Sequence, residues 1–152
     1  MSSIGNTDLL ERRLVAFFAS CSVTPETENR CIAWAESICQ TDSVVISGFH
    51  SPLEKRVLKI LLENKHPVAL FLGRAMYKRI PKEYEEAIAE GRMLIDTVRD
   101  WCRHSYKSAE IRNWHVADIA DEIYMTPFDR SSLLSAMHHC YTHYSKTPII
   151  IL

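Results

Sequence analysis

Short apolar runs alternate with longer amphipathic segments along the whole chain. The apolar runs, each of strand length, lie at residues 14–19, 44–46, 68–72, 93–95, 121–125 and 148–152. The segments between them repeat apolar residues at helical spacing, as in the stripe Cys31, Trp34, Ala35, Ile38 and Cys39. This alternation predicts a single three-layer α/β domain with a mostly parallel sheet.

The stretch from residue 43 to residue 73 predicts one strand–helix–strand unit. Its first strand ends at Ser47-Gly48, Ser51-Pro52 begins a helix, and a second strand ends at Gly73. In parallel sheets, ligands bind at the turn between a strand and the next helix. A helix N-terminus there offers unpaired N–H groups and partial positive charge to an anion. The turn 47–54 is therefore the first candidate for a binding site.

The remaining elements follow from caps and breakers. Helices are predicted to begin at Thr24, at Pro81, at Ser108 and at Ser131 or Ser132. The last helix would bury residues 133, 134, 137, 141 and 144. Residues 99–107 are predicted to form an irregular, charged surface loop. Residues 148–152 have no polar residue after the proline, which is typical of a buried parallel strand. Residues 1–8 are predicted to be loose, which gives a leader at 1–12 and a domain at 13–152.

The amino-acid composition limits the classes of function that the protein can have. The 152 residues carry a formal net charge of -1, so nucleic-acid binding would need a local basic patch. The five cysteines form no C-x-x-C pair, and we expect them to be reduced, mostly buried thiols in a cytoplasmic protein. We find no secretory signal and no apolar run long enough to span a membrane.

Two turns resemble those of the DNA-processing protein A (DprA/Smf) family. That family has the turn S-G-x-A-x-G-I-D, which Ser47-Gly48 matches, while Pro52 replaces its second glycine and Glu54 its aspartate. The family's next signature, L-G-x-G followed by Y-P, is met by Leu72-Gly73 and Ile80-Pro81. The resemblance covers about residues 13–152 in order and places the chain near the LOG-type Rossmann-like proteins.

A third motif of the family, R-N-R, is echoed by Arg112-Asn113, with Trp114 in place of its second arginine. The resemblance implies a non-catalytic protein that binds single-stranded DNA through its phosphates, in DNA recombination and transformation, with homodimer formation left open. It also requires Arg112 and the Gly48 backbone to lie on the same side of the molecule. The implied anion-binding residues, with nearby candidates, are Ser20, Ser47, Gly48, His50, Lys55, Gly73, Lys78, Arg79, Arg112 and Asn113. Tyr77 and Trp114 are candidates for stacking on bases.

Three alternatives stay open. The same turns could bind a nucleotide or another phosphate-bearing small molecule, in sensing or in a cryptic hydrolase. The domain could be a dimerisation module whose site has decayed. Ser47-Gly48 could also be a plain turn, with Arg112 in a surface ion pair and Trp114 in the core. Residues 126–131 lack the glycines and glutamate of the LOG-type enzymes, which argues against phosphoribohydrolase activity.

We assign no catalytic residue, metal or cofactor. Cys21 ends the first strand, but no histidine or aspartate is placed beside it by spacing. His139 and His143 have the i, i+4 spacing of a metal clip, yet both are predicted to face solvent without a neighbouring carboxylate.

Overall fold

The computed structural model describes residues 2–152, which form a seven-stranded sheet with helices on both faces. The strands are β1 (Ser3–Gly5), β2 (Leu14–Phe18), β3 (Val44–Ser47), β4 (Val68–Phe71), β5 (Met93–Asp96), β6 (Glu122–Met125) and β7 (Ile149–Ile151). The helices are α1 (Pro25–Ile38), α2 (Pro52–Glu63), α3 (Lys82–Ala89), α4 (Tyr106–Ile119) and α5 (Leu133–Tyr144), with a 3-10 helix at Thr7–Glu11. The predicted α/β class is confirmed.

The strand order is β1-β5-β4-β3-β2-β6-β7, and every neighbouring pair is parallel except β1 with β5. From β2 the chain moves outward to β3, β4 and β5, then returns to place β6 on the other side of β2. The order therefore reverses between β2 and β6, which makes this position the topological switch point of the sheet.

The apolar strands form because both faces of the sheet are covered. Along β2, Val15 and Phe17 face the layer of α1, α2 and α3, whereas Ala16 and Phe18 face α4 and α5. All four side chains are almost fully buried. Burying one phenylalanine in this way contributes about 2–3 kcal/mol to the free energy of unfolding. This two-sided burial explains why the strands have continuous apolar runs instead of an alternating pattern.

The amino-terminal segment differs from the loose leader predicted for residues 1–8. Ser3–Gly5 pairs with β5 as the antiparallel edge strand, and Asn6 caps the 3-10 helix. The Asn6 backbone N–H donates to the Met93 carbonyl oxygen at 3.1 Å. The strand was missed because three residues carry too little pattern. Met1 lies outside the described residues, and the division of the chain at residue 12 stays a prediction.

Three further predictions need correction. Helix α4 begins one turn earlier than expected, because Ser105 is its N-cap and Ser108 is the reciprocal partner in the capping box. Strand β7 is parallel but is an edge strand, so Ile150 and Ile151 are 36% and 41% exposed. Tyr144, predicted to be buried, is 80% exposed because it is the last residue of α5.

The cysteines and the surface of the helices complete the description. All five cysteines are free thiols, but only Cys31 is buried, and burial raises its pKa to about 11. Cys21 and Cys102 are exposed, so the expectation of mostly buried thiols was wrong. None of the helices within residues 2–152 combines the length and the hydrophobicity that crossing a bilayer requires.

Candidate functional site

The loops that follow the parallel strands form one rim of the sheet, here called the carboxyl rim. It consists of residues 19–24, 48–51, 72–81, 97–105 and 126–132. At the switch point, the Ser20 backbone N–H donates to Thr126 Oγ1 at 2.9 Å, and its hydroxyl donates to the Pro127 carbonyl oxygen at 3.1 Å. Ser20, a predicted anion contact, thus ties two rim loops together with both of its donors.

The start of α2 is occupied by a carboxylate of the protein itself. Glu54 is buried, and its Oε1 accepts from the backbone N–H groups of His50 and Ser51 at 2.9 and 3.1 Å. Its Oε2 accepts from the Ala19 N–H at 2.9 Å, which links α2 to the end of β2. An anion is favoured at a helix N-terminus, and Glu54 supplies it. The turn therefore has fewer free amides than its sequence suggests.

The turn at Ser47-Gly48 is also satisfied internally. The Ser47 side chain is fully buried, and its hydroxyl oxygen accepts from the Phe49 N–H at 3.0 Å. Phe49 has a φ of 43°, in the left-handed region that bulky residues rarely adopt. This hydrogen bond helps to hold the reversal of the chain between β3 and α2.

Arg112 lies directly over Gly48, on the same side of the molecule. A Cβ atom on Gly48 would lie 2.5 Å from Arg112 Nε, so only glycine leaves room for the guanidinium. Arg112 is 4% exposed, and its Nε donates to Asn113 Oδ1 at 2.7 Å. Its Nη1 donates weakly to the Phe71 carbonyl oxygen at 3.4 Å. Burial lowers the pKa of Arg112, and the nearby Glu54 carboxylate opposes that shift.

Gly73 has the same role for the start of α4. A Cβ atom there would lie 3.3 Å from the Ala109 Cα, so the glycine allows the helix to approach the end of β4 closely. The buried Ser108 hydroxyl donates to the Gly73 carbonyl oxygen at 2.6 Å. Both glycines that were expected to face a phosphate are therefore covered by α4.

Two histidines, from the loops after β3 and β5, stack at the carboxyl rim. The ring centroids of His50 and His104 are 4.4 Å apart, with an angle of 17° between the rings. Partial burial lowers the pKa of His50, and the positive charges of His104, Arg112 and Lys55 lower it further. Three positively charged groups therefore act on the His50 ring. An anion docked here would stabilise the protonated form of His50.

Exposed cations also lie at this rim. Lys55 lies on the first turn of α2, and Lys78 and Arg79 lie on the loop between β4 and α3. Together, the rim loops 72–81 and 97–105 contain five arginines and lysines and a single acid, Asp100. The rim is thus locally basic, although the net charge of the whole chain is -1.

The two predicted stacking residues lie in different layers. Trp114 is on α4 and packs against Tyr141 of α5, with ring centroids 6.0 Å apart, so it belongs to the packing between helices. Tyr77 lies on the rim loop 72–81, near Tyr84 of α3, with ring centroids 6.4 Å apart. The Arg74 guanidinium lies 5.0 Å from the centre of the Tyr77 ring. Tyr77 is thus the aromatic candidate that lies near the basic rim.

Other reactive side chains remain dispersed. Cys21 is exposed on the loop after β2 and has no histidine or carboxylate partner among the described residues. His139 and His143 are exposed, as predicted, and their ring centroids are 4.5 Å apart. Within residues 2–152, no group of three or more His, Cys, Asp or Glu side chains has an arrangement that suits a metal ion.

The strand order and the helices on both faces of the sheet define a Rossmann-like α/β domain, and the basic loops after β4 and β5 lie at its carboxyl rim. The chain has the fold of DNA processing protein A. It superposes on that protein from Helicobacter pylori, described for its single-stranded DNA binding mode, with a TM-score of 0.74 and 18% identity. The match covers 98% of this chain and 69% of the other chain.

Two further solved structures have the same fold. DprA from Streptococcus pneumoniae matches with a TM-score of 0.65 and 14% identity, over 97% of this chain and 61% of that one. A molybdenum cofactor binding protein from Rippkaea orientalis matches with a TM-score of 0.64 and 10% identity, over 92% of this chain and 76% of that one. No protein-family model matches the chain, and no curated protein matches its sequence.

Sequence reasoning missed part of this site. His104 and Arg103 lie on the loop 97–105, which was interpreted only as a charged surface loop. The loop interleaves arginines with Trp101 and His104. Proteins that bind single strands combine basic and aromatic side chains in this way, so this pattern could have identified the loop as part of the site.

Proposed function

We propose that this protein binds single-stranded nucleic acid, with the phosphates held by the cations of the carboxyl rim. The observation that carries the proposal is the cluster of Arg112, Lys55, His50 and His104 at the ends of β3 and β5. No covalent step is part of this function. The likeness to H. pylori DprA supports the choice of ligand, since that protein is described as binding single-stranded DNA.

In this proposal, the residues of the cluster have different roles in binding. Arg112 is too buried to reach far toward a ligand, so it contributes positive potential and positions the turn at Gly48. Asn113 holds the Arg112 guanidinium through the bond to Nε. Direct phosphate contacts fall to the exposed side chains, namely Lys55, Lys78 and Arg79, with the two histidines.

A salt titration tests this function. We expect a labelled single-stranded oligonucleotide to bind at low salt and to dissociate as salt rises, because each phosphate contact releases counterions. The double variant Lys78→Ala, Arg79→Ala should bind more weakly. Its plot of log K against log salt should be less steep by about 1.4, because each lost phosphate contact removes about 0.7 from the magnitude of the slope. Lys146→Ala, an exposed lysine before β7 at the opposite edge, is the matched control and should change neither. Absence of binding at low salt would refute the proposal.

A phosphate-bearing small molecule is the second candidate, because the fold is also that of a molybdenum cofactor binding protein. The internal use of the α2 N-terminus by Glu54 weighs against a diphosphate there. Thermal unfolding with nucleoside mono- and diphosphates distinguishes the two candidates. A ligand at 100 times its Kd would add about 2.7 kcal/mol to the free energy of unfolding.

The wider roles implied by the resemblance stay predictions. These are participation in DNA recombination and transformation, a cytoplasmic location, and homodimer formation. A domain at residues 13–152 is likewise proposed as the binding unit.

A further inference from the structure

A groove of about 780 Å³ separates α2 from α3 on the face of the sheet opposite α4. Its volume is within the range of small-ligand sites, about 300–1,000 Å³. Lys55 lies both on this groove and close enough to His50 to affect its pKa. Lys55 therefore belongs both to the groove and to the basic cluster of the carboxyl rim.

One wall of the groove carries two lysines above a buried aliphatic side chain. Lys55 and Lys59 are four residues apart on α2, so their side chains project from the same face of the helix. Both are exposed, whereas Leu58 below them is buried. Two ammonium groups along one wall offer successive positions to a phosphate backbone.

The other wall is aromatic. Tyr77 and Tyr84 line it with rings tilted by 57° to each other, and Pro81 lies between them in sequence. Burial raises the pKa of both hydroxyls, that of Tyr84 to about 12, so both remain protonated and able to donate hydrogen bonds. An aromatic wall suits a nucleobase, because every base has a π-face on which a ring can stack.

Three acids also line the groove, namely Glu63, Glu83 and Glu86. Glu83 and Glu86 lie on α3, whereas Glu63 is the last residue of α2, four residues after Lys59. The acids therefore disfavour a phosphate beside α3 or at the end of α2, and leave Lys55 and Lys59 as the path for the backbone. The distribution of charge thus separates a place for phosphates from a place for an uncharged ring.

We propose that the groove between α2 and α3 holds a nucleobase of a strand whose phosphates follow Lys55 and Lys59. This inference rests on the proposed function, since the strand must first bind at the carboxyl rim. It assigns base stacking to Tyr77 and Tyr84 and phosphate contact to the two lysines. Because stacking reads no base edge, the preference among bases is expected to be weak.

A comparison of normal and abasic oligonucleotides of equal length tests the inference. The two have the same phosphates, so the ratio of their affinities reports the base alone. We expect the intact protein to bind the thymidine oligonucleotide about tenfold more tightly, the effect of roughly one stacked base. Tyr84→Leu should reduce that ratio toward one without changing the affinity for the abasic strand. Lys59→Ala should weaken binding to both strands equally.

Controls separate stacking from folding. Tyr84→Phe keeps the ring and should keep the ratio, and Tyr144→Leu, at an exposed tyrosine of α5, should also leave it unchanged. If Tyr84→Leu does not fold, photo-crosslinking of the unaltered protein to a 5-iodouracil oligonucleotide gives the same answer. Crosslinks should map to Tyr77 or Tyr84, and crosslinks confined to other residues would overturn the inference.

Three outcomes have distinct meanings. Binding with an unchanged ratio in Tyr84→Leu refutes the groove and leaves the proposed function in place. No binding of either oligonucleotide at low salt refutes both. In the third outcome, free thymidine monophosphate competes for the groove as effectively, per base, as the oligonucleotide does. That result would overturn the assignment to a strand and indicate a free nucleotide as the ligand.

Discussion

Replacing Gly48 with alanine tests whether Arg112 anchors α4 to the sheet. Gly48 is outside the left-handed region, so the backbone accepts alanine and the change adds only a Cβ atom. That atom would lie 2.5 Å from Nε and from Nη1 of Arg112, where non-bonded atoms normally stay about 3.5 Å apart. The guanidinium then has to leave its bonds to Asn113 and to the Phe71 carbonyl oxygen.

The expected loss follows from two effects. Overpacking a buried site lowers the free energy of unfolding by about 1–3 kcal/mol, and loss of hydrogen bonds from a charged donor adds about 1 kcal/mol or more. We therefore expect Gly48→Ala to lower it by roughly 2–4 kcal/mol. For a chain of this length, each kcal/mol lowers Tm by about 2–4 °C. Urea unfolding followed by far-UV circular dichroism measures the change.

A double-mutant cycle isolates the cause. In Arg112→Ala, the guanidinium is absent, so adding the Gly48→Ala change should lower the free energy of unfolding by less than about 0.5 kcal/mol. The coupling energy between the two positions should then exceed about 1 kcal/mol. If the two changes are additive within about 0.5 kcal/mol, the guanidinium is not the obstacle and the proposed anchor is wrong.

Two further predictions concern charge at the same turn. Glu54→Gln replaces one carboxylate oxygen with an amide N–H₂ group that faces backbone N–H donors. We expect it to lower the free energy of unfolding, measured by urea titration, by about 2–3 kcal/mol. A loss below about 0.5 kcal/mol would contradict the role of the carboxylate. Burial and nearby positive charges lower the pKa of His50 in the free protein, and a bound phosphate raises it, so binding takes up protons. Oligonucleotide affinity should therefore increase as the pH is lowered from about 8 toward 6, and the variant His50→Gln should lose most of that dependence; equal pH profiles would contradict it.

The fold was predictable because its signals are strong and local. The run at residues 44–46 and the Ser51-Pro52 cap each fix one element, and both were confirmed as β3 and α2. Errors arose where the signal is short or depends on distant neighbours. Three residues of β1 become a strand only because β5 offers an open edge. Likewise, the Ile-rich β7 is half exposed because no eighth strand follows it.

The site was predictable only in outline. The resemblance to the DprA family implied that Arg112 and Gly48 share one side of the molecule, and in the structure the two lie against each other. The sequence did not reveal that the arginine covers the glycine, since a glycine gives no sign of which group approaches it. The stacking of His104 on His50 joins residues 54 positions apart in the chain, which no periodicity encodes.

The carboxylate of Glu54 has a consequence for how a polyanion would be held. A fixed negative charge sealed beneath the turn keeps an incoming phosphate at the length of a lysine or arginine side chain, away from the backbone. Flexible side chains can contact a nucleic-acid strand in many conformations, but they hold none of these conformations rigidly. Such a surface favours rapid exchange along a strand over tight capture of a single geometry.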